Sequence, residues 1–207
     1  MIDKRDDGGF YDKFRGRIIF PIFSPNGRVI AFGGRILEEA KVAKYLNSPE
    51  SIIYSKRRSL YGLFHSKEEI RSSSKAILVE GYMDLISLFQ HGIKNVVASS
   101  GTSLTDEQAQ LLSRFTKNII VLFDADDAGQ KAALRSIEIL LKQDFDVRVV
   151  LLPDKEDPDS FINKHGKEMG ILKNFIYVSL KMVDRFVFYN LLKSLKDYPW
   201  SGIKIIK

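Results

Sequence analysis

The sequence predicts an α/β protein: a parallel sheet flanked by helices, with a small β-rich basic lobe before it and a helical segment after it. Three observations lead there. Short runs of β-branched and aliphatic residues at Ala76 to Val79, Ile119 to Phe123 and Val147 to Leu152 carry the mark of strands buried on both faces. Between and after them, apolar residues fall at helical spacing: Leu85, Ile86, Leu88 and Phe89, then Leu111, Leu112 and Phe115, then Ala132, Ala133, Ile137, Leu140 and Leu141. Charge divides the chain the same way, with 15 basic against 9 acidic groups in residues 1–75, 8 against 14 in 76–160, and 9 against 3 in 161–207. Repeated strand and helix imply right-handed crossovers, so the carboxyl ends of the strands open onto one edge where ligands bind. The expected units are a basic lobe at 1–75, the sheet domain at 76–165 and a helical region at 166–207.

Residues 1–14 look like a loose entry, since Asp6, Asp7, Gly8 and Gly9 break any pattern. Arg17 to Pro25 and Arg28 to Leu37 then read as two strands joined at Asn26-Gly27, a strong hairpin signal, and Pro21 suggests an edge strand. In Gly33-Gly34-Arg35 the glycines allow close backbone approach and Arg35 can fork onto a phosphate. Between 41 and 62, Lys44, Lys56, Arg57 and Arg58 interleave with Tyr45, Tyr54 and Tyr61, a pattern that suits a nucleotide or nucleic acid, or else a surface segment anchored by its tyrosines. Residues 66–75, SKEEIRSSSK, read as a polar connector without periodicity.

Each buried strand is followed by acids. Glu80 ends the first, and Gly81 turns the chain into a helix whose first turn carries Asp84, which could instead serve the helix N-terminus electrostatically. Thr105 with Gln108 forms a capping box, and Gly101, Thr102 and Ser103 make a polar loop able to offer N–H groups to phosphate. Asp124 and Asp126 follow the second strand, where one could cap a helix. Asp157-Pro158-Asp159 follows the third, as a rigid turn or a pair of ligands. Six carboxylates on one edge raise each other's pKa unless a cation neutralises them. Oxygen donors without Cys or a His pair favour Mg²⁺ or Mn²⁺ over Zn²⁺. Two such ions, roughly 3.5 to 4 Å apart, are the usual apparatus of phosphoryl chemistry.

Beyond Ile162, residues Ile171, Leu172, Phe175, Ile176, Leu180, Val183, Phe186, Val187, Leu191 and Leu192 make an amphipathic stripe, which Pro199-Trp200 interrupts. His65, His91 and His165 are scattered and receive no chemical role, although His91 beside Gly92 reads as a helix C-terminus. With 207 residues, 44% hydrophobic, the chain can bury a real core. It holds no cysteine, so disulfides and thiolate zinc sites are excluded. Lacking an apolar run of membrane length or an apolar leader, it is expected in the cytoplasm. A net charge of +6, placed in basic flanks around an acidic centre, favours a polyanionic partner over a merely solvated surface. No GxxxxGK[ST] loop occurs.

EGYMD, the DxD of LFDADDAG and EDPDSF, in that order, resemble the Toprim module shared by bacterial primases, topoisomerases and some nucleases. FRGRIIFPI, IAFGGRIL, KYLNSPE, the KxRxLYG element and VASSGTSLT narrow the likeness, over roughly residues 12–165, to the bacterial DnaG-type primase. The resemblance implies synthesis of short RNA primers on single-stranded DNA from nucleoside triphosphates. Glu80, Asp124, Asp126, Asp157 and Asp159 would bind the metals with Asp84 in support, Arg35, Lys44 and Lys56 would contact the incoming nucleotide, and Arg15, Arg17 and Arg58 would face nucleic acid. It also implies a fragment of the catalytic core, whose zinc module, further core residues and replicative-helicase-binding domain lie outside this chain. A Toprim nuclease or topoisomerase-like enzyme and a non-catalytic nucleic-acid-binding remnant are the competing readings.

Overall fold

The computed structural model describes residues 2–4, 6–38, 42–101, 103–150, 152–153, 156–166 and 178–179. The chain starts with a small hairpin, β1 (Ile2–Lys4) against β2 (Phe10–Asp12), where a loose entry is expected from sequence. Gly8, with φ +86°, and the Gly9 N–H bonded to Asp7 Oδ1 at 2.9 Å close its turn. The glycines and aspartates that read as pattern breakers are the turn itself, and strands of three residues are too short to show alternation.

β3 (Arg17–Phe23), β4 (Val29–Ile36) and β5 (Tyr45–Asn47) form an antiparallel sheet in that order. The turn falls at Asn26-Gly27 as expected: Gly27 has φ +85° and donates to the Ser24 carbonyl at 2.9 Å. Pro21 sits in β3, an edge strand, where a missing N–H is tolerated. Phe20 and Ile22 point inward from β3 and are buried. A 3-10 turn at Lys56–Arg58 follows, held by the Gln108 amide, which donates to the carbonyls of Lys56 and Ser59 at 3.1 and 2.8 Å.

The supposed polar connector is in fact a helix, α1 (Leu63–Ser73). Its buried face is only Leu63, Ser66 and Ile70, one of them a serine whose hydroxyl donates to the Val96 carbonyl at 2.7 Å. A stripe with one polar member out of three gives too little periodicity to be read from sequence.

The sheet domain then runs β6 (Ala76–Val79), α2 (Tyr82–Gln90), β7 (Val96–Ala98), α3 (Asp106–Ser113), β8 (Asn118–Leu122), α4 (Asp127–Lys142), β9 (Asp146–Val150) and α5 (Pro158–His165). The strand order is β7-β6-β8-β9, all parallel, and β7 is an addition to the three strands legible in sequence. Strand period two sorts the side chains into two cores. Leu78, Val97, Val121 and Val149 pack with α3 and α4, while Ile77, Val79, Ile120 and Leu122 pack with α2 and α5. Leu78 is wholly buried on an interior strand, so Leu78→Ala is expected to cost about 2–5 kcal/mol in chemical denaturation.

A final strand, β10 (Val178–Ser179), pairs antiparallel with β9 through Val178 opposite Val149. It lies inside the stripe expected to be helical and corrects that expectation at these two positions. The rest of the stripe and Pro199-Trp200 lie outside the described residues. Among the described residues no helix is long and apolar enough to cross a membrane.

Candidate active site

Strand ends deliver the acids. Glu80 follows β6 directly, and Asp84 occupies the first turn of α2, where its Oδ2 accepts from the Gly81 N–H at 2.9 Å. Asp126 caps α4, its Oδ1 accepting from the Gly129 N–H at 2.7 Å. Asp157 caps α5 through the Ser160 N–H at 2.6 Å, with Pro158 at the first helical position. Asp159 Oδ1 accepts from the Ser87 hydroxyl and from Asn163 Nδ2, the latter at 2.7 Å. Four of the six thus have local structural partners. Glu80 Oε1 and Asp124 Oδ1 do not: both are buried and without a hydrogen-bond partner.

Small-ligand pockets measure roughly 300 to 1,000 Å³, and the cavity at this edge measures about 460 Å³. Glu80, Asp84, Asp124, Asp157 and Asp159 line it together with Arg35, Lys44 and Lys56. Asp126 is not among the lining residues and serves α4, the capping role that the sequence left open. Gly101 lines the cavity, whereas the Ser103 hydroxyl accepts from Arg135 Nε at 2.9 Å and Thr102 lies outside the described residues. Arg15, Arg17 and Arg58 are likewise not lining residues. Arg17 Nη1 donates to the carbonyls of Gly34 and Lys44 at 3.4 and 3.3 Å, clamping the strand that leads to the cations. Sequence reasoning did not single out Tyr82 or Asn47, which also line the cavity; the tyrosine within EGYMD was the available signal.

The histidines stay outside this chemistry. His91 ends α2 with Nδ1 2.8 Å from the Ser87 carbonyl, His65 packs against Phe23 and Phe64, and His165 lies against Phe161.

Burial and mutual repulsion govern the acids. Burial, then the Asp124 charge, push Glu80 up to about 7, tempered by the Asp124 backbone N–H. Asp84 also rises to about 7, through burial and then Asp124. Asp124 rises to about 6, through burial and then Asp157 and Asp126. Burial lowers Lys56 from its ordinary value. Raised acids hold protons more tightly folded than unfolded, so stability is full below their unfolded values near 4 and is lost as pH climbs through about 6 to 7. Metal-free protein is therefore expected to melt lower at about pH 8 than at about pH 5, with added Mg²⁺ or Mn²⁺ raising the melting point more at the higher pH. Thermal unfolding with and without chelator checks both signs.

The orphaned oxygens of Glu80 and Asp124, in an all-oxygen donor set, fit a hard divalent cation. As placed, no group of three or more His, Cys, Asp or Glu side chains among the described residues could hold a metal ion.

A four-stranded parallel sheet with Glu, DxD and DPD acids at its carboxyl edge defines a Toprim-like module, and residues 77–162 match the Toprim-like family model. Residues 1–67 match the model of the DNA primase catalytic core, N-terminal domain. The chain belongs to the DnaG-type DNA primase family. It is 48% identical over 200 residues to the DNA primase of Clostridium acetobutylicum, covering 95% of this chain and 32% of that protein. The solved Aquifex aeolicus primase, comprising zinc-binding and RNA polymerase domains, superposes with a TM-score of 0.80 at 38% identity, over 96% of this chain and 56% of that one. A DnaG primase catalytic domain bound to ssDNA gives 0.77 at 39% identity, over 94% and 67%. The chain spans about a third of the length of the curated relatives it matches.

Proposed function

We propose that this chain is the nucleotidyl-transfer part of a bacterial primase, joining ribonucleotides into short RNA primers on single-stranded DNA in the cytoplasm. The observation that carries the reading is the single cavity in which buried, partnerless carboxylate oxygens and three cations meet. Glu80 and Asp124, with Asp157 and Asp159 beside them and Asp84 and Asp126 in support, would hold two Mg²⁺ or Mn²⁺ ions. Bound there, the ions would lower the pKa of the primer 3′-hydroxyl and neutralise charge on the leaving group. Arg35, Lys44 and Lys56 would bind the triphosphate, placing its α-phosphorus for attack by that hydroxyl, with pyrophosphate released. Arg15, Arg17 and Arg58, outside the cavity, would bind template through phosphate contacts. The replicative helicase would be met through a domain beyond this chain.

A binding-only reading has one observation in its favour, the lack of a three-ligand group among the described residues as placed. Incubation with labelled ribonucleotides, single-stranded DNA and Mg²⁺ or Mn²⁺ separates the readings. Chelator-sensitive primer products support nucleotidyl transfer, shortened DNA supports a nuclease, and DNA binding without either product supports the binding-only reading.

A further inference from the structure

Tyr82 opens α2, two residues after Glu80 and two before Asp84, yet its side chain reaches away from the acids into the basic lobe. Its ring stacks on Phe20 of β3, with centroids 4.9 Å apart and planes 1° from parallel. It meets Tyr61 edge-on at 4.6 Å and Tyr45 of β5 at 6.1 Å. The hydroxyl donates to Asn47 Oδ1, also on β5, at 2.7 Å. Against β4 the fit depends on a missing side chain: a Cβ on Gly33 would lie 2.7 Å from Tyr82 Cζ and Oη. One side chain from the acidic edge thereby touches all three strands of the basic sheet. Its exposure is 3%, and burial raises the phenol far above its ordinary pKa, which keeps it a donor.

The strands it touches carry the cations. Arg35 lies two residues beyond Gly33 on β4 and pairs in register with Tyr45, while Lys44 immediately precedes β5 and gives its carbonyl to the Ile36 N–H at 3.0 Å. We infer that Tyr82 is a positioning residue, a peg between the two lobes that fixes how far Arg35 and Lys44 stand from Glu80 and Asp84. This rests on the nucleotidyl-transfer reading above. The acids themselves do not need the peg: Asp84 is held by the Gly81 N–H, and Glu80 by its place at the end of β6. The peg matters only to a ligand that must touch both walls, and a metal-bound triphosphate is such a ligand.

Tyr82→Phe keeps the ring and its stacking but removes the hydroxyl's bonds to Asn47 and to the Ser100 side chain. With Mn²⁺ present, titration with a ribonucleoside triphosphate that cannot be cleaved between its α- and β-phosphates is expected to show binding about 3- to 10-fold weaker than wild type, the worth of one buried hydrogen bond. Mn²⁺ affinity without nucleotide should stay at its wild-type value, and the melting temperature should fall by no more than the few degrees that one buried hydrogen bond is worth. Asn47→Ala should show part of the loss in nucleotide binding, and the double variant should lose no more than Tyr82→Phe alone, because the Asn47 bond is being removed twice. Gly33→Ala, which forces the ring out of its slot, should weaken nucleotide binding further. Unchanged nucleotide binding in Tyr82→Phe, or a parallel fall in metal affinity, overturns the positioning role while leaving the wider reading intact. Absence of metal-dependent triphosphate binding in the wild type sinks that reading, and the peg with it.

Discussion

Asp124→Asn is expected to reduce the proposed primer synthesis at least about 10²- to 10³-fold, the scale on which electrostatic groups at phosphoryl sites act. The same change should stabilise the metal-free protein at alkaline pH. Asp124 has a buried oxygen that nothing in the protein satisfies, and its charge is the largest electrostatic cause, after burial, of the raised pKa values of both Glu80 and Asp84. An amide of the same shape removes that charge, so Glu80 and Asp84 titrate closer to their ordinary values. Their folded-state protons are then released at lower pH, and less stability is lost as pH rises from about 5 to about 8, a relief of about 1–2 kcal/mol at the upper end. Activity and stability therefore move in opposite directions, a pattern that misfolding cannot produce. Primer assays alongside melts in chelator test it. An Asn variant that keeps its activity, or that melts lower than wild type at about pH 8 without metal, contradicts the role given to this carboxylate.

The parts of the fold that could be read from sequence are those where one physical signal dominates. Buried parallel strands leave little choice of residue, so β6, β8 and β9 stand out as aliphatic runs, and Asn26-Gly27 marks its turn because Gly27 needs a positive φ. The failures come where signals are diluted. α1 hides because Ser66, whose hydroxyl serves the Val96 carbonyl, takes a place where an apolar residue would have completed the stripe. β7 is three residues long, and β10 draws its existence from the free edge of β9, a partner that local sequence does not announce. Such pairing is tertiary information.

At the site, the clustering of the acids with the cations was legible in the sequence. The five acids Glu80, Asp84, Asp124, Asp157 and Asp159 and the three cations do share a cavity. Spacing could not show the division of labour among the acids. Asp126 and Asp157 each follow a strand and precede a helix, a position where capping and ligation ask for the same residue type. Only hydrogen-bond partners tell the two apart, and they leave one oxygen of Glu80 and one of Asp124 buried and unsatisfied. Tyr82 stayed silent for a related reason: an aromatic residue at the start of a helix reads as core until its contacts show that they belong to the other lobe.

Gly129→Ala should damage both stability and activity although it adds a single methyl group. Gly129 lies in the first turn of α4 with no positive φ, so by helix propensity alone alanine would stabilise it by about 1 kcal/mol. Packing reverses the sign. A Cβ there would sit 2.4 Å from the Asp124 carbonyl oxygen and 2.9 Å from both Asp124 Cβ and Glu80 Oε1. The first of these is backbone at the end of β8 and cannot swing aside, so α4 must withdraw from the strand, and with it the Asp126 cap on the Gly129 N–H. A shift of that kind is expected to cost about 1–3 kcal/mol in denaturant unfolding. It also moves Asp124 and Glu80 apart by a fraction of an ångström to an ångström, and misplacement on the order of 1 Å is worth about 10²-fold in rate. Both losses follow from one close approach, whereas a gain in stability at Gly129→Ala would mean that α4 does not press on the acidic edge and that the spacing of Glu80 and Asp124 is set elsewhere.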